Sequence, residues 1–125
     1  EKRAEIIAEL YKKLVHLEWA ARRCTHKEEI PNVFPPLSER LHAESDIAHE
    51  FQVYFEENRI YLEEHLVKDL EMFNELSCDV YIDLAEIVNQ TPDYISASQR
   101  IEKEIVPLKT KLLIKFQQIL GIQSL

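Results

Sequence analysis

The chain is expected to fold as an all-α, antiparallel up-down four-helix bundle, because three features of the sequence point the same way. One Gly and five Pro occur in 125 residues, too few turn formers for an all-β fold with many short strands. Four long segments carry apolar residues at alternating spacings of three and four, the seam of a bundle helix. Three of the prolines, Pro31, Pro35 and Pro36, are gathered in one stretch, where they end a helix and make a Pro-rich loop between the first two helices. A chain of this length sits near the modal size of one domain. It can bury about two-thirds of the surface it exposes when unfolded, so residues 1–125 are read as a single domain that needs no disulfide or metal for stability.

The first helix is expected over about residues 2–26, with Ile7, Leu10, Leu14, Leu17, Ala21 and Cys24 on its seam. Glu5 and Glu9 early and Arg22, Arg23 and Lys27 late suit the helix dipole. The second runs from about Ser38 to Glu57 on Leu37, Leu41, Ala48, Phe51 and Phe55, with Asn58 as a left-handed stop. A short turn at 58–60 makes the next helix an antiparallel neighbour, while a continuous helix through Asn58 stays open as the alternative. The third spans about Tyr61–Val88 on Leu66, Leu70, Phe73, Ser77, Val80, Leu84 and Ile87, with Glu64, Glu71, Glu75 and Glu86 opposite. Thr91 as N-cap, Pro92 at the first position and Asp93 beside it start the fourth. It continues to about Leu120 on Ile101, Ile105, Leu108, Leu112, Phe116 and Ile119, kinked by Pro107. Gly121 followed by Ile122 reads as its C-cap.

The formal net charge is −8, and an acidic surface repels phosphate backbones, so no nucleic-acid partner is expected. Residues 61–90 carry 1 basic and 8 acidic groups, whereas 91–125 carry 5 and 3. The third helix is therefore expected to be a solvated acidic face beside more basic neighbours. Cys24 and Cys78 have no metal or redox spacing and are read as two buried thiols. No apolar run reaches the roughly 18 residues of a membrane span. The chain opens without Met inside a helical pattern, from which a longer parent chain is expected.

One constellation on the second helix has the makings of a metal site. Glu39-x-x-His42 and Asp46-x-x-His49 are similar to the Glu-x-x-His of di-iron carboxylate bundles, which need that motif on two helices and a Glu from each of the others. The fourth helix has no His. At about 100° per residue, His42, Asp46 and His49 fall far from the middle of their apolar stripe, so Glu39, His42, Asp46 and His49 are expected to face water. Cys24 and His26, two apart on a helix, do not face each other as a nucleophile and base would. No glycine-rich phosphate cradle exists. No catalytic residue and no cofactor is therefore assigned.

Apolar surface in the wrong place is the stronger signal. Ala8, Val15 and Trp19 lie on a second stripe of the first helix, far from its seam, and Ile82 and Ile114 point away from theirs. A helix with two apolar faces touches two things. Either Phe34, Pro35 and Pro36 roof Trp19 within the chain, or Val15 and Trp19 meet a second copy or a partner helix, since aromatic residues are favoured interface anchors.

Glu1-Lys2-Arg3-Ala4-Glu5-Ile6-Ile7-Ala8-Glu9-Leu10-Tyr11 and Tyr54-Phe55-Glu56-Glu57-Asn58-Arg59-Ile60-Tyr61-Leu62 resemble two segments of uncharacterised bacterial membrane-anchored proteins, in which an N-terminal transmembrane helix precedes a cytoplasmic helical region. The resemblance covers about 20 of 125 residues and carries no catalytic residue with it. It implies the cytoplasmic part of such a protein, with the membrane reached only through a segment absent from this chain. The function expected is a non-catalytic helical interaction module that meets a protein partner or its own copy. A metal-dependent bundle enzyme and a small regulatory or defence-system partner are the alternatives.

Overall fold

The computed structural model describes residues 2–27, 35–85 and 91–121. It is an all-α four-helix bundle, with no strand among the described residues. Helix α1 is Lys2–Cys24, α2 Leu37–Asn58 and α3 Glu64–Leu84; the fourth rod is α4 Tyr94–Arg100, a π-turn Ile101–Ile105 and α5 Val106–Leu120. Its junction residues, Arg100, Ile101, Ile105 and Val106, all keep right-handed helical dihedrals, so the rod is unbroken. No helix among the described residues is long and apolar enough to cross a membrane.

The seams read from the sequence form the core. Ile7, Leu10, Leu14, Leu17, Ala21 and Cys24 of α1 are buried, as are Leu66, Leu70, Phe73, Ser77, Val80 and Leu84 of α3. Phe51 stacks on Phe55 at 6.0 Å between ring centroids and meets Phe73 at 6.4 Å, joining α2 to α3 with the offset geometry aromatic pairs favour. Charge then pins the fourth rod. Glu18 of α1 is buried between Arg22 (3.0 Å) and Lys109 (2.8 Å), and Asp69 of α3 takes Lys111 (3.3 Å) and Lys115 (2.7 Å). Burial pushes both carboxyls up, but the hydrogen bonds and charge of these cations outweigh it and hold both below the ordinary carboxylate range. Arg100 adds Asp83 at 3.1 Å and Asp79 at 3.6 Å. The acidic third quarter of the sequence thus lies against cations of the last.

Four boundaries differ from expectation. Asn58 ends α2 but is not left-handed: its φ is −114° and ψ 7°, and its Nδ2 donates to Tyr54 O at 2.9 Å. The chain does break there. A 3₁₀ turn at Arg59–Tyr61 is followed by extended Leu62 and Glu63, so α3 starts at Glu64 rather than Tyr61. It ends at Leu84 with Ala85 extended, short of the expected Val88; residues 86–88 lie outside the described residues, as do Phe34 and Ile122. The N-cap of the fourth rod is Asp93, whose Oδ1 accepts from Ser96 N at 2.9 Å, not Thr91. The reason is tertiary: Asp93 N donates to Asp83 O at 2.8 Å, which ties the entry of α4 to α3 at that residue.

The interruption expected at Pro107 takes the form of a π-turn one turn earlier. Val106 N donates to Ile101 O, five residues back, which widens the helix before a residue that has no N–H and whose ring crowds the preceding turn. The seam explains the location. Its members Ala97, Ile101, Ile105, Leu108, Leu112 and Phe116 are spaced more widely than 3.6. At about 100° per residue, the path from Ala97 to Phe116 overshoots five full turns by about one residue. A single π-turn absorbs one residue, so both ends of the rod face the core. Gly121 closes it in the left-handed region, φ 75°. Gly121→Ala should weaken that last turn by about 1 kcal/mol, read as a lower urea midpoint; an unchanged midpoint would remove its capping role.

Candidate functional site

A groove of about 460 Å³ lies between α1 and α2. Seam packing turns Leu14, Leu17 and Ala21 inward, and this leaves Trp19 on the outer flank of α1. Trp19 is 58 % exposed, and its ring lies 5.9 Å, at a 40° tilt, from the His16 ring. Val15, one turn earlier, is half-buried. Ala43 and Ile47 form the facing wall on α2, and Pro35 closes one end. Of the roof expected over Trp19, Phe34 falls outside the described residues, and Pro35 with its neighbour leaves more than half of the indole open. Ile82 and Ile114 are exposed as expected, at 57 % and 50 %.

Arg40 forms the floor of the groove, and its burial is unexpected from the sequence. It is 4 % exposed. Its Nε donates to Pro35 O at 2.8 Å, and its Nη1 donates to Arg23 O at 2.6 Å and His26 O at 2.8 Å. One guanidinium thereby satisfies carbonyls at the C-terminal end of α1 that the helix itself leaves open, and holds the start of α2 against them. Its Nη2 is buried with no hydrogen-bond partner among the described residues.

One turn on, Glu44 is also buried, 2 % exposed, and makes no hydrogen bond or ion pair among the described residues. Burial raises its carboxyl to about 7. The sequence did carry a trace of the buried Glu44. The stripe of α2 jumps seven residues from Leu41 to Ala48, and position 44 stands where a seam member belongs.

The remaining candidates separate rather than converge. Glu39, His42, Asp46 and His49 are all exposed, and His42 Nε2 sits 3.5 Å from Asp46 Oδ2. The described residues contain no group of three His, Cys, Asp or Glu side chains placed to hold a metal ion. Cys24 is buried, and desolvation followed by the Glu44 charge pushes its thiol up to about 12, far from a reactive thiolate. Cys78 is exposed, which corrects the expectation of two buried thiols: position 78 stands about 100° around α3 from Ser77, which takes the seam. His65 pairs with Glu63 at 2.8 Å.

Comparison with protein-family models, curated proteins and solved structures finds no match to this chain. The groove offers an open indole, an imidazole and aliphatic walls over a fixed cation. That combination suits contact with another surface.

Proposed function

We propose that this chain is a non-catalytic helical interaction module that associates with a second copy of itself through the outer face of α1, with Trp19 and Val15 as anchors. The observation that carries the reading is the 58 % exposed indole at the rim of a preformed groove, since a half-open Trp beside aliphatic walls is the usual make-up of an interface hot spot. Charge supports a second copy as the occupant. The chain is strongly acidic, yet residues 1–30 carry 7 basic and 6 acidic groups, so two α1 faces can meet without the repulsion that the rest of the surface would produce. The resemblance of segments 1–11 and 54–62 to bacterial membrane-anchored proteins supports the finer reading, a cytoplasmic module held near a membrane by a segment outside this chain.

Light scattering across a concentration series tests it. The mass should rise toward twice that of the monomer, and Trp19→Gln should hold it at the monomer value. The same variant should change unfolding stability by less than about 1 kcal/mol, because most of the ring is already in water. A wild-type chain that stays monomeric at every concentration would sink self-association; a Trp19→Gln variant that unfolds would place the indole in the fold instead.

A further inference from the structure

A second pocket, on the other side of α2, stands apart from that reading. It has a volume of about 190 Å³ and is walled by Glu44, Ser45 and Ala48 of α2 and Cys78, Tyr81 and Ile82 of α3. Among the described residues, Glu44 is the one charged residue in this wall, and it is almost completely buried with no hydrogen-bonding or ionic partner. A carboxyl in such a place is normally paired, because burying it alone is costly. The cation one turn before it, Arg40, makes its hydrogen bonds to the carbonyls of Pro35, Arg23 and His26 through Nε and Nη1, and no ion pair joins it to Glu44 among the described residues.

The surroundings specify what would complete the pair. Tyr81 and Ile82, at 36 % and 57 % exposure, put apolar surface beside the carboxyl. A further hollow one turn along the same helices is lined by exposed Glu75 and by Glu56 and Glu71, which share Arg59 at 2.8 and 3.4 Å. Over residues 31–90 there are 3 basic groups against 14 acidic ones; Asp69, Asp79 and Asp83 are held by cations of the fourth rod, and the acidic excess that remains favours a positively charged occupant. The pocket falls below the roughly 300–1,000 Å³ usual for small-molecule sites, which favours a single inserted side chain. A lysine fits both requirements, a compact ammonium at the end of a flexible four-carbon stem.

We infer that the α2–α3 pocket receives a lysine side chain from a basic segment of a partner protein, with Glu44 as the counter-ion and Tyr81 and Ile82 packing the stem.

The groups around Glu44 are Cys24 from α1, Arg40 from its own helix, and Cys78 and Tyr81 from α3. With its carboxyl raised to about 7 by burial, Glu44 is mostly protonated in the empty pocket below that pH. An incoming ammonium must displace this proton, so binding strengthens as pH rises.

The first probe is n-butylammonium, titrated at pH 6 and pH 8 while backbone amide shifts of residues 44, 78, 81 and 82 are followed by NMR, with n-butanol as the neutral control. Saturable shifts are expected at pH 8, about tenfold weaker binding at pH 6, and none with Glu44→Gln at either pH. Butanol binding as tightly as butylammonium would overturn the counter-ion role. The exposed position 78 provides a variant that leaves Glu44 in place: Cys78→Phe should block the pocket, and unchanged binding in that variant would also overturn the proposal. An amphipathic leucine–lysine helical peptide is the second probe. It should bind more tightly than butylammonium and lose binding when its lysines are acetylated. A peptide that binds no more tightly than butylammonium would overturn the partner assignment in favour of a free amine.

Discussion

Arg40→Ala should destabilise the bundle by about 3–5 kcal/mol, an effect that urea unfolding would read directly. The guanidinium makes three hydrogen bonds of 2.6–2.8 Å to backbone carbonyls from two places in the chain, Arg23 and His26 on one side and Pro35 on the other. A hydrogen bond from a charged donor is worth about 1.5–3 kcal/mol, and an acceptor left buried without one adds its own desolvation cost. Water entering the vacated space would return part of this, which sets the range below the plain sum. Arg40→Lys should recover less than half of the loss. A single ammonium cannot present the planar fork that reaches all three carbonyls. A cost below about 1 kcal/mol for Arg40→Ala would mean that the α1–α2 corner is held by apolar packing alone.

Glu44 should make the chain less stable as pH rises from 4.5 to 7. Its carboxyl is raised from the ordinary 4.5 to about 7 in the folded state, so between these values the native protein holds a proton that the unfolded chain has released. The contribution is fully present below 4.5, declines through the window and is flat above 7. Its size is about 3 kcal/mol at 1.36 kcal/mol per unit. Glu18 and Asp69 act in the opposite sense, because their cation partners lower them and their contribution is lost only as pH falls below the ordinary carboxylate range. Comparing Glu44→Gln with the parent isolates the effect. The variant's relative stability should climb by about 3 kcal/mol between pH 4.5 and 7 and then level off. Parallel stability curves would show that Glu44 titrates as an ordinary exposed carboxyl.

The four rods and their seams were legible because burial follows helical period, and Trp19 and Ile82 stood out for the same reason, as apolar residues off the period. The seven-residue gap between Leu41 and Ala48 also held a signal, since a regular seam would place an apolar residue where Glu44 is. The role of Arg40 was not legible in the same way. Its partners are main-chain carbonyls, which every residue has, so no pattern of side chains encodes the contact. The start of the fourth rod failed for a related reason. Thr91 and Asp93 are both good capping residues, and the choice between them is made by a hydrogen bond to Asp83 O across the bundle, a contact that the local sequence does not contain.

The wide turn at Ile101–Ile105 also sets where the fourth rod tolerates a change of length. It is the shape that a one-residue insertion takes when a helix absorbs it without rotating either flank. A chain shortened by one residue here, with an ordinary helical ladder, would show the core the same faces. This stretch is therefore where the fourth rod can lose a residue while the rest of the bundle keeps its register.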